Sequence, residues 1–181
     1  MSVQSFNAIC NEHTHTIVLG TMPGVASLDA YQYYAHKRNG FWPIMLALIE
    51  RSQPTYDVQE QHSYTDKVNA LQAAGFGLWD VLAECERSGS LDSAIQSNSV
   101  VMNDFPALLT QYAGIKTVAF NGKTAERLFN RHAMPLLQEA EFDVDAIRWI
   151  CLPSSSPAMA SLSLEQKHEQ WTALLSTDSK N

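Results

Sequence analysis

The sequence predicts an α/β fold of three layers, α/β/α, around a central, mostly parallel sheet of four strands. Two observations support this prediction. Four short apolar runs have the length and the β-branched or aromatic content of buried parallel strands. These runs are Thr16–Leu19, Phe76–Leu82, Thr117–Phe120 and Ile147–Leu152. Segments with helical spacing alternate with the runs, and this alternation is typical of a parallel sheet covered on both faces.

The helical segments are recognised by their apolar spacing and by their start signals. They are Phe41–Arg51, Thr65–Ala74, Asp104–Tyr112, Lys123–His132 and Glu165–Leu175. Thr65 and Asn103 are the predicted N-caps of the second and third segments, and Leu164, Trp171 and Leu175 share one side of the last. The polar stretch Ser52–Ser63 predicts a surface loop, and Ser176–Asn181 predicts a frayed tail.

The length and composition limit the class of protein. The chain has 181 residues, of which 45% are hydrophobic, so we expect one domain over residues 1–181 with a sizeable core. It contains no run of about 18 apolar residues, and its start lacks the pattern of a signal peptide. We therefore expect no membrane span, a cytoplasmic location and a monomer.

The cysteines and histidines do not form a pattern that binds metal. Cys10, Cys85 and Cys151 are odd in number and far apart, which argues against disulfides, iron–sulfur clusters and zinc sites. His13 and His15 alternate as on a strand, but two ligands are too few for a metal centre. The sequence predicts inert thiols, no metal and no cofactor.

The net charge of −7 argues against a nucleic-acid protein, because phosphate neutralisation usually produces a basic patch. Backbone N–H groups, hydroxyls and helix N-termini also bind phosphate, however. Lys37, Arg38 and Lys123 lie beside the segments singled out below, whereas many acids lie elsewhere, for example in Glu139–Asp145.

Ligands of parallel α/β sheets bind beyond the carboxyl ends of the strands, so the loops after the apolar runs are the places to look for function. The first is Gly20-Thr21-Met22-Pro23-Gly24. Its glycines allow a ligand to approach the backbone closely. A lone Gly-Pro turn is common, so this loop indicates a site only together with others.

The segment Gln32–Trp42 combines four aromatic side chains with His36, Lys37, Arg38 and Asn39. Aromatics beside basic residues suit stacking on a nucleobase and contact with its strand. The alternative is a segment that anchors the core and leaves a solvated Lys-Arg face. For His36 alone, a structural hydrogen bond is favoured over acid–base chemistry.

The loop after the last apolar run carries three consecutive serines, Ser154, Ser155 and Ser156, between Pro153 and Pro157. The prolines limit its flexibility, so its donors are preorganised. Such a loop can hold phosphates with O–H and N–H groups, although serine-rich loops are more often plain surface.

Taken together, these blocks resemble the uracil-DNA glycosylase superfamily over nearly the whole chain. Gly20–Gly24 stands where that superfamily has Gly-x-[Asp/Asn]-Pro-[Tyr/Gly], and Leu152-Pro153-Ser154 stands where it has [His/Asn]-Pro-Ser. Ala35-His36-x-x-Asn39-x-Phe41-Trp42 looks like the block that follows the first motif in the mismatch-specific branch. The full set is most similar to the hypoxanthine-DNA glycosylase branch, also called DNA-deoxyinosine glycosylase.

Three departures from the superfamily pattern carry information. Met22 replaces the Asp or Asn that positions the attacking water, and a thioether does not perform that task. Leu152 replaces the His or Asn of the second motif, so we expect slower chemistry on uracil than in the uracil-specific branch. Gly24 stands where that branch has a bulky Tyr, and a glycine leaves room for a purine.

The resemblance implies an N-glycosyl hydrolase that flips a deaminated base out of DNA for base excision repair. Hypoxanthine is the first candidate base, and uracil and xanthine are the others. Asn39 would orient water or donate to the base, or it would only hold its loop; Asn121 would contact the base, or it would be a turn residue. The implied base-binding residues are Gly20, Thr21, Met22, Pro23, Gly24, Tyr34 and Phe41, and the implied DNA-phosphate and wedge residues are Ser154, Ser155, Ser156, Pro157, Met159, Lys37 and Arg38.

Other residues and other functions remain open from the sequence. Asp80 at a strand end is a structural residue or a water-binding carboxylate, with the structural role favoured. No lysine is placed as a Schiff-base nucleophile, so we expect no strand-cleaving lyase activity. Met22 and Leu152 leave room for a base-binding module without catalysis. A hydrolase of free nucleosides is a further alternative, but it would need no phosphate-binding serines.

Overall fold

The computed structural model describes residues 2–52 and 63–175. Its central sheet has four parallel strands in the order β3-β2-β6-β7, which confirms the predicted sheet. A second, antiparallel sheet has the order β1-β4-β5. The strands are β1 Ser2–Gln4, β2 Thr16–Gly20, β3 Phe76–Asp80, β4 Leu82–Glu86, β5 Val101–Met102, β6 Thr117–Asn121 and β7 Arg148–Leu152.

Helices cover both faces of the parallel sheet, as predicted. They are α1 Val25–Ala30, α2 Phe41–Ser52, α3 Tyr64–Ala73, α4 Phe105–Gln111, α5 Lys123–Leu128, α6 Met134–Glu139 and α7 Leu164–Trp171. Side chains along a strand alternate between its faces. Val18 and Ala119 accordingly pack with α2, α3 and α7, whereas Leu19 and Phe120 pack with α4, α5 and α6. The sheet therefore separates two apolar cores.

The predicted strand 76–82 is wrong at its end. The parallel strand stops at Asp80, and the chain turns at Val81 into β4 of the second sheet. Val81 donates its backbone N–H to Gly20 O, and Leu82 donates to Thr21 O. Both side chains are fully buried, so the apolar pattern continues across the turn and conceals it.

Several helix boundaries also differ from the prediction. Ser63 caps α3 through a capping box with Asp66, so Thr65 is not the cap. Asp104 caps α4, while Asn103 donates its side-chain N–H to Asp80 O at 2.8 Å. The predicted helix 123–132 continues through a π-helical turn, Phe129–Ala133, into α6.

The remaining differences concern segments at the ends of helices. Helix α1 was not predicted, and the predicted helix 165–175 ends as a 3₁₀ turn, Thr172–Leu175. Most of the predicted loop 52–63 and the predicted tail 176–181 lie outside the described residues. Within the described ranges, no helix has the length and apolar character needed to cross a membrane.

Candidate functional site

A cavity of about 920 Å³ lies at the carboxyl edge of the parallel sheet. Asp80, Gly20, Asn121 and Leu152, which end the four neighbouring strands, all line it, as the position rule for parallel sheets predicts. The structure brings the two predicted loops together over this cavity. The first turn (residues 20–24) forms one wall, and the serine loop (residues 153–159) forms another.

The start of the first turn has no space for a side chain. A Cβ atom on Gly20 would lie 2.5 Å from Asp80 Oδ1 and 2.9 Å from Tyr34 Oη. Glycine is therefore required by the close approach of these two polar groups. Met22, two residues later, is 7% exposed and packs with the core on the α4–α6 side.

Gly24 lines the cavity, but Ser90 beside it reduces the space for a purine that the sequence predicts. A Cβ atom there would meet Ser90 Oγ at 3.2 Å and Ser90 Cβ at 3.3 Å. Ser90 also accepts a hydrogen bond from Val25 N at 2.9 Å. The size of a base that fits beside Gly24 therefore depends on Ser90 as well.

Tyr34 and Phe41 form an aromatic pair at the cavity. Their ring centroids are 3.9 Å apart and their planes differ by 14°, so the two rings are stacked. Tyr34, which has a positive φ of 57°, lines the cavity. Phe41 is fully buried and does not line it. The predicted contact of Phe41 with the base is therefore corrected: Phe41 supports Tyr34 from behind.

The predicted basic residues are placed unequally around the cavity. Lys37 and Arg38 are exposed but do not line it, whereas Lys123 does. His36 lines the cavity and also has a structural role, because its Nδ1 accepts from Arg38 N at 3.2 Å. Of the three basic residues Lys37, Arg38 and Lys123 singled out from the sequence, Lys123 is the one that lines the cavity.

Asn39 is oriented by hydrogen bonds that define its amide. Its Oδ1 accepts from Phe41 N at 2.9 Å and from Ser155 Oγ at 2.9 Å. Because a backbone N–H only donates, the atom that faces Phe41 N is the oxygen. Two donors already occupy this oxygen, while Nδ2 has no hydrogen-bond partner within residues 2–52 and 63–175. Asn39 therefore offers a donor to the cavity rather than an acceptor.

Asn121 is fully engaged with the protein. Its Oδ1 accepts from Ser155 N at 2.8 Å, and its Nδ2 donates to Ser155 Oγ at 2.9 Å and to Tyr34 Oη at 3.1 Å. Both amide hydrogens are used, and the side chain is 8% exposed. Asn121 lines the cavity, and its contact with a base stays a prediction. Asn121 positions Tyr34 and the serine loop.

The three serines of the serine loop do not share one role. Ser155 is 1% exposed, and its hydroxyl lies between Asn121 and Asn39, so its predicted side-chain contact with phosphate is corrected. Ser154 and Ser156 are half-buried, and each hydroxyl accepts from a backbone N–H two residues later. Their hydroxyl hydrogens are left to donate to a ligand. Pro157 is exposed and Met159 half-buried at the rim.

Helix α7 holds the serine loop from below, which the sequence did not reveal. Lys167 is 5% exposed and donates to Ser156 O at 3.2 Å and to Met159 O at 2.7 Å. Trp171 donates from Nε1 to Pro153 O at 2.9 Å. Charged residues on a terminal helix usually face solvent, so the sequence carries no signal for the buried role of Lys167.

Three carboxylates, those of Asp80, Asp92 and Glu126, line the same cavity. Asp80 is 3% exposed, and Ser5 Oγ donates to its Oδ2 at 2.7 Å. Burial, reinforced by Asp92, raises the pKa of Asp80 to about 7 against the opposing effects of Ser5 and Arg87. Burial also raises the pKa of Asp92, although Thr21, Arg87 and Arg127 lower it. Asp92 was missed because it lies in a polar loop without a recognisable pattern.

Metal-binding side chains are dispersed over the part of the chain that the structure describes. That part of the chain contains no group of three or more His, Cys, Asp or Glu side chains arranged to hold a metal ion. The polar groups of the cavity are thus amides, hydroxyls, three carboxylates, the imidazole of His36, the thiol of Cys151 and the ammonium of Lys123.

Comparison with known proteins identifies the family. Residues 8–175 match the family profile described as the Uracil DNA glycosylase superfamily. The chain is 33% identical to a protein of Methanosarcina barkeri named hypoxanthine DNA glycosylase, over 68% of this chain and 73% of that protein. It is 29% identical to one of the same name from Methanosarcina acetivorans, over 96% and 98% respectively.

A solved structure has the same fold. It is a solution NMR structure from Methanosarcina acetivorans, described as a candidate uracil DNA glycosylase. It superposes with a TM-score of 0.73 at 29% identity and covers 96% of each chain. With the profile spanning nearly the full length, the chain belongs to the uracil DNA glycosylase superfamily.

Proposed function

We propose that the protein is a monofunctional DNA glycosylase that removes hypoxanthine from deoxyinosine in DNA as a step of base excision repair. The observation that carries the proposal is the meeting of the first turn, Tyr34 and the serine loop around one cavity. Enzymes that act on a base within DNA must take it out of the stack into such a pocket. The two hypoxanthine DNA glycosylases similar to this chain support the choice of base.

Stacking on Tyr34 would hold the flipped base. Phe41 covers one face of the Tyr34 ring, so the other face is the one available to a ligand. Stacking of a base on an aromatic ring contributes about 1–3 kcal/mol and tolerates any base. Tyr34 would therefore supply affinity for an extruded nucleobase without selecting which one.

Asn39 would stabilise the departing base. Cleavage of an N-glycosidic bond leaves negative charge on the base and positive charge on the sugar, and preorganised donors aimed at the growing charge accelerate such steps. The unpartnered Nδ2 of Asn39 is a donor of this kind. Its oxygen is already occupied, so donation to the base is favoured over accepting from the attacking water.

The rim of the cavity would hold the DNA strand. The Ser154 and Ser156 hydroxyls and the Lys123 ammonium lie on the same side as the serine loop, and phosphate contacts of this kind fix register without reading sequence. Pro157 and Met159 project at the rim and would fill the space that the base vacates. Lys37 and Arg38, which lie outside the cavity, would contact phosphates further along the strand.

The test is a substrate panel. Oligonucleotides with one deoxyinosine, deoxyuridine or deoxyxanthosine are incubated with excess protein in single- and double-stranded form, then treated with or without alkali. We expect cleavage at deoxyinosine after alkali and intact strands without it, because no lysine acts as a nucleophile. Strand scission without alkali would contradict the monofunctional mechanism.

Two other results would favour the rival functions. Tight binding of deoxyinosine DNA with no abasic product at enzyme excess would indicate a binding module, which the apolar Met22 and Leu152 motivate. Release of hypoxanthine from free deoxyinosine at a rate comparable to that from DNA would indicate a nucleoside hydrolase. Either result would overturn the proposed function.

A further inference from the structure

The segment that follows β4 is fastened to the first turn at two points and to the start of α1 at a third. Arg87 donates from Nη2 to Pro23 O, Ser90 Oγ accepts from Val25 N at 2.9 Å, and Asp92 Oδ2 accepts from Thr21 Oγ at 2.9 Å. The two segments are far apart in sequence but form one unit at the cavity. A side chain carried by residues 87–92 is therefore held as firmly as the turn itself.

Asp92 is the acidic member of this unit. It lines the cavity, is partly exposed, and uses one carboxylate oxygen for Thr21. The other oxygen, Oδ1, accepts no hydrogen bond from the described parts of the chain. The neighbouring Met22, with its thioether, supplies no polar group. The first turn itself contributes no carboxylate to the cavity, and Asp92 of the adjoining segment supplies one.

We propose that Asp92 is a catalytic residue that orients the attacking water and accepts its proton. The proposal rests on the proposed glycosylase function and assigns the water-handling role that Met22 leaves open. The water oxygen forms a bond to C1′ of the deoxyribose as the bond from C1′ to the base breaks. The electron pair of that bond leaves with the base. One proton of the water passes to Asp92, and the base takes a proton from solvent.

Asp80 and Glu126 are the competing carboxylates of the cavity, and Glu126 lies on α5 against Cys151. Asp80 is also less suited to this role. It is 3% exposed, holds Ser5 through Oδ2, and has Oδ1 against the backbone of Gly20 on the cavity floor. Both of its oxygens thus face the protein, whereas Oδ1 of Asp92 accepts no hydrogen bond within residues 2–52 and 63–175. Arg87 acts on both carboxylates, and Arg127 acts on Asp92.

The decisive variant is Asp92→Asn. An amide oxygen still accepts from Thr21, so the fastening of the loop is kept while the charge and the proton acceptor are lost. We expect the single-turnover rate on deoxyinosine DNA to fall by about 10²–10⁴, the usual contribution of a positioned acid or base. Affinity for the same DNA should change by less than about threefold, which is under 0.7 kcal/mol. Asp29→Asn removes an equally negative, exposed carboxylate from α1 and should leave the rate unchanged.

A pH profile separates catalysis from structure. In the wild type, the rate should fall as acid protonates Asp92, and the profile of Asp92→Asn should lose that acid limb. Asp92→Glu, which keeps the charge, should recover part of the rate. An unchanged rate in Asp92→Asn would overturn the assignment, and so would an acid limb that persists there but disappears in Asp80→Asn. A wild type that releases no base from any substrate would instead overturn the proposed function itself.

Discussion

The wall of the cavity that carries Asn121 and the serine loop differs from the wall that carries the first turn. The amide and hydroxyl groups of the Asn121 wall bond to one another from Tyr34 to Asn39. On the first-turn wall, Arg87 is 2% exposed, and its Nε and Nη1 have no partner among the described residues.

The difference assigns separate tasks to the two walls. Fully satisfied buried networks are rigid, whereas incompletely satisfied polar groups in a low dielectric interact strongly with any charge that enters. The Asn121 wall therefore suits holding a base in one orientation, with Nδ2 of Asn39 left to donate to it. The first-turn wall suits a reaction in which charge develops.

Replacing the unpartnered amide donor of Asn39 by an acceptor should have the largest effect. Asn39→Asp keeps both accepting contacts of Oδ1 but places a carboxylate oxygen where Nδ2 stands. Because the leaving base becomes negative, we expect the single-turnover rate on deoxyinosine DNA to fall by about 10²–10³ with binding largely kept. Asn130→Asp changes an exposed amide and should have no effect. An unchanged rate would remove Asn39 from the mechanism.

Removal of the Asn121 side-chain amide, at the centre of the Asn121 wall, should have the second-largest effect. Asn121→Ala leaves Ser155 N and Tyr34 Oη without the partner that Asn121 supplies, and Ser155 Oγ keeps only its bond to Asn39. Buried groups left unsatisfied cost about 1–3 kcal/mol each, so we expect the free energy of unfolding to fall by at least about 2 kcal/mol. Urea unfolding measures it, with Asn130→Ala as control. A loss below 0.5 kcal/mol would show that the wall is not a connected network.

The first-turn wall should respond to pH. Folding raises the pKa of Asp80 from its ordinary value of 3.8 to about 7. The folded protein therefore holds a proton on this carboxyl more tightly than the unfolded chain does. Its contribution to stability is thus complete below pH 3.8 and is lost as pH rises through 7. Asp80→Asn should remove this loss and have a melting temperature at pH 8 that is higher by about 2 °C or more. Equal pH dependence in both proteins would contradict it.

The contact with phosphate should give the smallest effect. Lys123→Met removes an ammonium at the cavity, and we expect weaker binding and a salt slope for DNA binding that is smaller by about one. Lys116 is exposed just before the amino end of β6, at the opposite edge of the sheet, so Lys116→Met is the matched control. The salt dependence of fluorescence anisotropy distinguishes them. Equal slopes would place the phosphate contact elsewhere.

The fold and the position of the site could be predicted because their signals are local. Buried parallel strands appear as apolar runs, and Gly20–Gly24 and the serines are contiguous in sequence. The contact of Asn121 with Ser155 joins residues 34 positions apart, so no spacing rule reveals it. Arg87 and Asp92 lie where a polar residue is ordinary, and only the folded chain shows that Arg87 is buried and that both side chains hydrogen-bond with the first turn.

The amide of Asn39 has a consequence for engineering the base preference. Phe41 N–H and Ser155 N–H belong to the backbone, and neither exchanges donor for acceptor with pH or by rotation. In every hydrogen bond between these two N–H groups, the donor and the acceptor are thus fixed before any ligand binds. A base whose edge needs an acceptor at the position of Asn39 Nδ2 would not be accommodated by a flip of that amide. Redesign for such a base would have to begin with the contacts of these two N–H groups rather than with the residues that touch the base.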